Sequence, residues 1–128
     1  MRELLFVCNM GWYRSPTGAD VFTTLLVRDG FDNYHASSAG LLNEKEPLDG
    51  IRVTEAYGVF ACDYFVYTGM KRRFPGVEVK MRGFQIPDVF DKGDPKLVAF
   101  FTAYYQTGEW KSPLRQTVSF EIPVQLGP

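Results

Sequence analysis

The sequence predicts an α/β fold: a single doubly wound domain with a mainly parallel sheet of about four strands and helices on both faces. Three observations carry this. Leu4, Leu5, Phe6 and Val7 form an apolar run without alternation, as expected of a parallel strand buried on both faces. That strand passes through a loop into a helix start at Ser15-Pro16, an N-cap candidate followed by proline at the first helical position. Beyond it, helical spacings and short strand-like runs alternate, in the order β-loop-α-β-α-β-α-β-α. Right-handed crossovers then place the first loop at the carboxyl ends of the strands, where such sheets bind ligands.

Residues 4–17 read LLFVCNMGWYRSPT. A loop that ends in a helix N-terminus gathers unpaired backbone N–H groups and the positive end of the dipole around one point, which suits an oxyanion such as phosphate. Cys8 opens this loop, Arg14 closes it, and Asn9, Met10, Gly11, Trp12 and Tyr13 lie between. A thiol in that field becomes a thiolate near neutrality and a nucleophile. The planar fork of Arg14 grips two phosphate oxygens. The spacing Cys-x5-Arg arises often by chance, and free cysteines are usually inert and buried. Here a strand before, a helix after and Gly11 inside the loop are separate requirements, all met.

Composition agrees with one enzyme-like domain over residues 1–128. The chain has 128 residues, enough for a core, and a formal net charge of -1, which gives no electrostatic case for nucleic acid or membrane binding. Its two cysteines, Cys8 and Cys62, sit in unlike settings and read as free thiols of a reducing cytosol, so a cytoplasmic location is expected. The apolar run at the start is too short for a signal peptide, and no stretch approaches a membrane span.

The remaining elements follow in order. A first helix is expected over about residues 16–29, with Ala19, Phe22, Leu25 and Leu26 at core spacing and Gly30 as its stop. Residues 34–38 read as a second strand carrying His35, the only histidine, whose bland reading as a structural or exposed ring outweighs that of a base. A polar connection over 41–47 leads to Val53, Tyr57, Phe60 and Ala61 at helical spacing, with Gly58 weakening that helix. Residues 63–68 read as a third strand, placing Cys62 at a helix-to-strand junction, where packing is its default role. Lys71, Arg72 and Arg73 read as the solvated face of a short helix rather than a binding patch. Residues 77–81 alternate like a fourth, edge strand. Asp94-Pro95 reads as N-cap and first residue of a helix carrying Leu97, Phe100, Phe101 and Tyr104 up to Gly108. Residues 109–128 form a poorly matched tail, in which 118–124 either adds an edge strand or stays loose.

The segment VCNMGWYRSPTGADVF, residues 7–22, resembles the phosphate loop and first helix of the low-molecular-weight protein tyrosine phosphatases, more closely their short predicted-phosphatase branch. The resemblance implies Cys8 as nucleophile, Arg14 as phosphate clamp and Ser15 as a hydroxyl that stabilises the thiolate. Ser38-Ala39-Gly40 is similar to the family's Ser-Ala-Gly, and Ile86-Pro87-Asp88 resembles its acid loop, making Asp88 the general acid with Asp91 in reserve. Four places depart. Gly11 stands for a bracing asparagine, and Tyr13 for a second cysteine often found before the arginine. Tyr67-Thr68-Gly69 stands where a strand ending in Met and an acidic residue is expected, and Val89-Phe90 replaces Pro-Tyr. By order of elements the likeness spans residues 4–107, and it is most specific at 4–22.

What it implies is a hydrolase of phosphotyrosine-like phosphomonoesters acting through a cysteinyl-phosphate. No metal or organic cofactor is needed. The expected partners are a phosphotyrosine-containing protein or a small aryl phosphate, without nucleic acid or membrane, for a monomer or weak dimer. Trp12 and Tyr13 either line a slot for a phenyl ring or pack on the loop. Two other readings stay open: arsenate reduction on the same scaffold with an external thiol partner such as glutaredoxin or thioredoxin, and a module that binds a phosphorylated ligand without turnover.

Overall fold

Leu4, Leu5, Phe6 and Val7 have no exposed surface, and the strand that carries them is the axis of the sheet. The structure, a computed structural model, describes residues 1–112; the edge strand considered for 118–124 lies outside the described residues. Strand β1 (Arg2–Cys8) is flanked by β2 (Tyr34–Gly40) and β3 (Gly58–Ala61), with β4 (Met81–Gly83) beyond β3. The order is β2-β1-β3-β4 and every pairing is parallel, as expected. Alternation along β1 divides its side chains between two cores. Leu4, Phe6 and Cys8 pack with Ala19 and Phe22 of α1 (Arg14–Arg28) and Leu97 and Phe101 of α4 (Pro95–Thr107). Leu5 and Val7 pack with Val53 of α2 (Gly50–Glu55) and Val66 and Met70 of α3 (Tyr64–Arg73). Helices therefore cover both faces. None of those described is long and apolar enough to cross a membrane.

The two helices that pack on Phe6 both close on a glycine at positive φ. Asp94 caps α4, its side chain accepting from the Lys96 N–H at 2.8 Å, and Gly108 closes it at φ 71°. Helix α1 ends as its sequence implies, with Gly30 at φ 74°, but it begins at Arg14, so Ser15 is not its N-cap. Tyr13 holds that position without a side-chain cap, and Ser15 lies in the first turn, where its hydroxyl is free for other work. Past α4, Trp110 is buried, donating its Nε1–H to Tyr105 O at 2.7 Å and packing on Phe22 and Phe31. The poorly matched tail thus includes at least one core residue.

The middle of the chain differs from expectation. The helix predicted through Val53, Tyr57, Phe60 and Ala61 is only α2, capped by Asp49, and Phe60 and Ala61 belong to β3. Val59, Phe60 and Ala61 are an unalternating buried run like that of β1, and so short a run mimics a helical spacing. Residues 63–68, expected as the third strand, are the start of α3: Asp63 caps it, accepting from Val66 N–H at 2.8 Å. Val66, Tyr67 and Met70 face inward at helical spacing while Tyr64 and Phe65 are exposed. Cys62 consequently follows a strand rather than a helix. Val77–Lys80, expected within a strand, is a 3-10 turn, and β4 is the three residues after it, at the predicted edge. Lys71 and Arg72 are exposed at the end of α3, and Arg73 donates to Leu41 O and Leu48 O, fastening the connection after β2. His35 is exposed on edge strand β2, in register with Glu3 and far along the strand from Cys8, which pairs with Gly40.

Candidate active site

Parallel strands bring their carboxyl ends to one edge, where the loop after β1 meets the ends of β2 and β3. The loop is turned by its outward bonds. Cys8 O accepts from Leu41 N–H at 2.8 Å, Asn9 O from Leu42 N–H at 2.7 Å, and Met10 O from Asn43 Nδ2 at 3.1 Å. With three successive carbonyls committed to residues 41–43, the loop curls around its own N–H groups, two of which, from Gly11 and Ser15, favour the charged form of Cys8. Glycine at two positions makes this approach possible. A Cβ on Gly40 would lie 2.2 Å from the Met10 carbonyl carbon, and Gly11 has φ 77° with Gly40 N only 2.8 Å from where its Cβ would stand. Glycine at the end of Ser38-Ala39-Gly40 thus has a steric cause, and Gly11 adopts a left-handed bend.

Cys8 is buried beneath this loop. Its thiol is drawn down to about 5 by the adjacent Cys62 S–H, then, against the penalty of burial, by the Ser15 hydroxyl and the Ser15 and Gly11 amides. Of the two side-chain contacts, Ser15 is the one with full hydrogen-bond geometry: Oγ lies 3.0 Å from the sulfur and 3.2 Å from Ala39 O. A hydroxyl has one proton to give, and with Cys8 ionised it goes to sulfur. Burial pushes the Cys62 thiol the other way, well above the ordinary range. Alkylation of Cys8 by iodoacetamide should therefore rise with pH through a midpoint at about 5 and be level at neutrality. Ser15→Ala should move that midpoint upward, and a wild-type midpoint in the ordinary thiol range would remove the thiolate from the site. The same depression stabilises the fold fully at alkaline pH and is lost as pH falls toward about 5.

Arg14 is 1% exposed and held from one side. Its Nη1 donates to Asp63 Oδ2 and to Ile86 O, each at 2.7 Å. Its Nε and Nη2 are buried and make no hydrogen bond among the described residues; Nε is ion-paired with Asp88 Oδ1 at 3.5 Å. One edge of the guanidinium is thus fixed to the scaffold and the other presents two donors. Asp88 is more than half exposed and lines a cavity of about 180 Å³ together with Cys8, Asn9, Met10, Trp12, Tyr13 and Arg14. Larger clefts exist, such as one of about 500 Å³ between α2 and residues 73–80, but it offers no thiol. Of the other aspartates, Asp91 is exposed in the turn before α4 and Asp94 is committed to its cap; neither lines the cavity. The loop that carries Asp88 is pinned at both ends, Ile86 N–H donating to Cys62 O at 3.0 Å and Gly93 N–H to Thr17 Oγ1 at 2.9 Å. Trp12 and Tyr13 stand at the mouth, 56% and 44% exposed, their rings edge to face.

Asp63 is the residue that sequence reasoning missed. It caps α3 with one oxygen and holds Arg14 with the other. A signal for it existed: the acidic residue expected at the end of the third strand is Cys62-Asp63, not Tyr67-Thr68-Gly69, once β3 is placed at Gly58–Ala61.

No family model and no curated protein matches the chain. Solved structures do. The low molecular weight phosphotyrosine phosphatase of Vibrio cholerae O395 superposes with a TM-score of 0.71 at 15% identity, over 87% of this chain and 97% of that one. The tyrosine phosphatase Wzb from Escherichia coli K30, in complex with phosphate, gives 0.66 at 16%, over 83% and 96%. The YwlE arginine phosphatase from Geobacillus stearothermophilus gives 0.61 at 19%, over 87% and 97%. At such identities the likeness lies in the order and packing of elements, and the chain has the fold of the low-molecular-weight protein tyrosine phosphatases.

Proposed function

We propose that the protein is a cysteine-dependent phosphatase hydrolysing phosphotyrosine-like monoesters through a cysteinyl-phosphate. The observation that supports this most is the outward edge of Arg14, two buried donors that make no hydrogen bond among the described residues, beside a thiol drawn down to about 5. A phosphoryl group seated there meets donors for its equatorial oxygens, and its charge is balanced where charge is shared in the transition state. The Cys8 thiolate attacks phosphorus opposite the leaving oxygen. The phosphorus–oxygen bond to the phenol breaks as the phosphorus–sulfur bond forms, and Asp88, in its acid form, gives the phenolate a proton. In the second step the Asp88 carboxylate takes a proton from water as that water attacks phosphorus, which frees the thiolate and inorganic phosphate. Ser15 and the loop amides hold the thiolate as attacker and leaving group alike. Trp12 and Tyr13 flank the mouth where a phenyl ring lies.

The arginine phosphatase among the structural neighbours makes a phosphoramidate the competing substrate, and Cys62 beside Cys8 supports arsenate reduction as a second reading. One panel separates them. Phenyl phosphate, p-nitrophenyl phosphate and phosphoarginine are assayed beside arsenate with glutathione or thioredoxin. Turnover of the aryl phosphates above the others is expected. Faster arsenate reduction would move the activity to the second reading, and phosphate binding by titration without any turnover would leave a binding module.

A further inference from the structure

We infer that Cys62 is a resolving thiol for Cys8: a peroxide oxidises Cys8, and Cys62 converts the product to a disulfide that a dithiol reverses. The pairing comes from the sheet. Val7 stands opposite Ala61 in the parallel ladder of β1 and β3, and the Cys62 N–H donates to Val7 O at 3.0 Å, which extends the ladder by one step and sets Cys62 opposite Cys8. Both side chains point into the same core, with Phe6, Phe60 and Phe84. Neighbouring strands lie about 4.7–4.9 Å apart. A disulfide spans about 4.4–6.8 Å between Cα atoms, so the two thiols are bridgeable by side-chain rotation alone. The backbone at Cys62 is held on its other side as well, its carbonyl accepting from Ile86 N–H at 3.0 Å. Cys62 has no exposed surface, whereas Cys8 lines the cavity, so an oxidant reaches the pair through Cys8.

The chemistry balances with one peroxide. The Cys8 thiolate attacks the O–O bond of hydrogen peroxide, becoming a sulfenic acid, and the departing hydroxide is protonated to water. The Cys62 sulfur then attacks the Cys8 sulfur. The sulfur–oxygen bond breaks, and the hydroxide leaves as a second water with the proton of Cys62. Two thiols have been oxidised to a disulfide and one peroxide reduced to two waters. A dithiol restores both thiols by exchange. Cys8 is thereby diverted before a second peroxide can carry it to sulfinic acid, a protection that Tyr13, standing where a loop cysteine could be, does not supply. The inference rests on the reading of Cys8 as a reactive thiolate, not on phosphatase turnover.

The full chain is treated with hydrogen peroxide, blocked with iodoacetamide and mapped by mass spectrometry without reduction. The expected product is a Cys8–Cys62 linked peptide that dithiothreitol releases, together with recovery of most of the starting aryl phosphatase activity. In Cys62→Ser the linked peptide should be absent, sulfinic and sulfonic forms of Cys8 should accumulate, and the recovered share of that variant's own starting activity should fall severalfold. Cys62→Ala, checked for folding by circular dichroism, repeats the test. A folded wild-type protein in which Cys8 passes to sulfinic acid while Cys62 stays alkylatable after reduction overturns the inference, as does full thiol recovery in both variants. A protein that forms the linkage yet turns over no phosphate ester supports the inference and removes the phosphatase reading.

Discussion

Cys8→Ser is expected to lower turnover of aryl phosphates by about a thousandfold or more while leaving phosphate binding nearly intact. The two properties are carried by different atoms. In the proposed mechanism, holding the anion falls to the loop amides and to the outward edge of Arg14, which is braced by Asp63 and Ile86 O rather than by the thiol. Attack falls to sulfur alone. The wild-type thiol is drawn down to about 5 and is ionised at neutrality, whereas a serine hydroxyl in its place keeps its proton. The substitution is nearly isosteric, and its hydroxyl can still meet Ser15 Oγ, which lies 3.0 Å from the sulfur. Trp12 at the mouth provides the binding readout, its fluorescence changing as phosphate is titrated. Turnover near the wild-type rate in this variant would rule out the covalent intermediate, and loss of binding with turnover would make Cys8 a structural support of the loop.

How far this was legible depends on where the information lies in the chain. The strand, loop and helix around Cys8 are coded locally: an unalternating run, a glycine at the bend and a proline in the first helical turn. The same holds for α4, whose Asp94 cap, proline and closing Gly108 are all within its own segment. The middle third is different. β3 is four residues long, too short to show a period, and its apolar residues fit a helical spacing with Val53. Tyr64, Phe65 and Tyr67 argued for a strand by type, although the cap at Asp63 and the inward Val66, Tyr67 and Met70 make the segment a helix. The site divides in the same way. Cys8, Arg14 and Ser15 come from one strand–loop–helix segment and Asp88 from a short motif, but Asp63 meets Arg14 across 49 residues of sequence. Cys62 likewise reaches Cys8 only through the pairing of β1 with β3. Misplacing β3 hid both.

Asp88→Ala is expected to cut turnover of phenyl phosphate by about a hundredfold or more, the ordinary range for losing a general acid, with a milder loss on p-nitrophenyl phosphate. A leaving phenolate needs a proton in proportion to its basicity, so the two substrates report on proton donation rather than on binding. That distinction matters because Asp88 Oδ1 also lies 3.5 Å from Arg14 Nε, and its removal alters the field around the clamp. Such an effect would fall on both substrates alike, as would loss of the base in the shared second step, which lowers kcat; loss of the acid falls on the first step, is read in kcat/KM and follows the leaving group. Asp94→Ala is the control from the same loop. Its carboxylate accepts from Lys96 N–H at the start of α4, so its loss should cost about 1 kcal/mol of stability in urea unfolding and spare the chemistry. Asp91 is exposed and does not line the cavity, so Asp91→Ala should leave both substrates unchanged. If Asp91→Ala shows the leaving-group dependence and Asp88→Ala does not, the proton comes from a loop conformation in which Asp91, not Asp88, faces the thiolate.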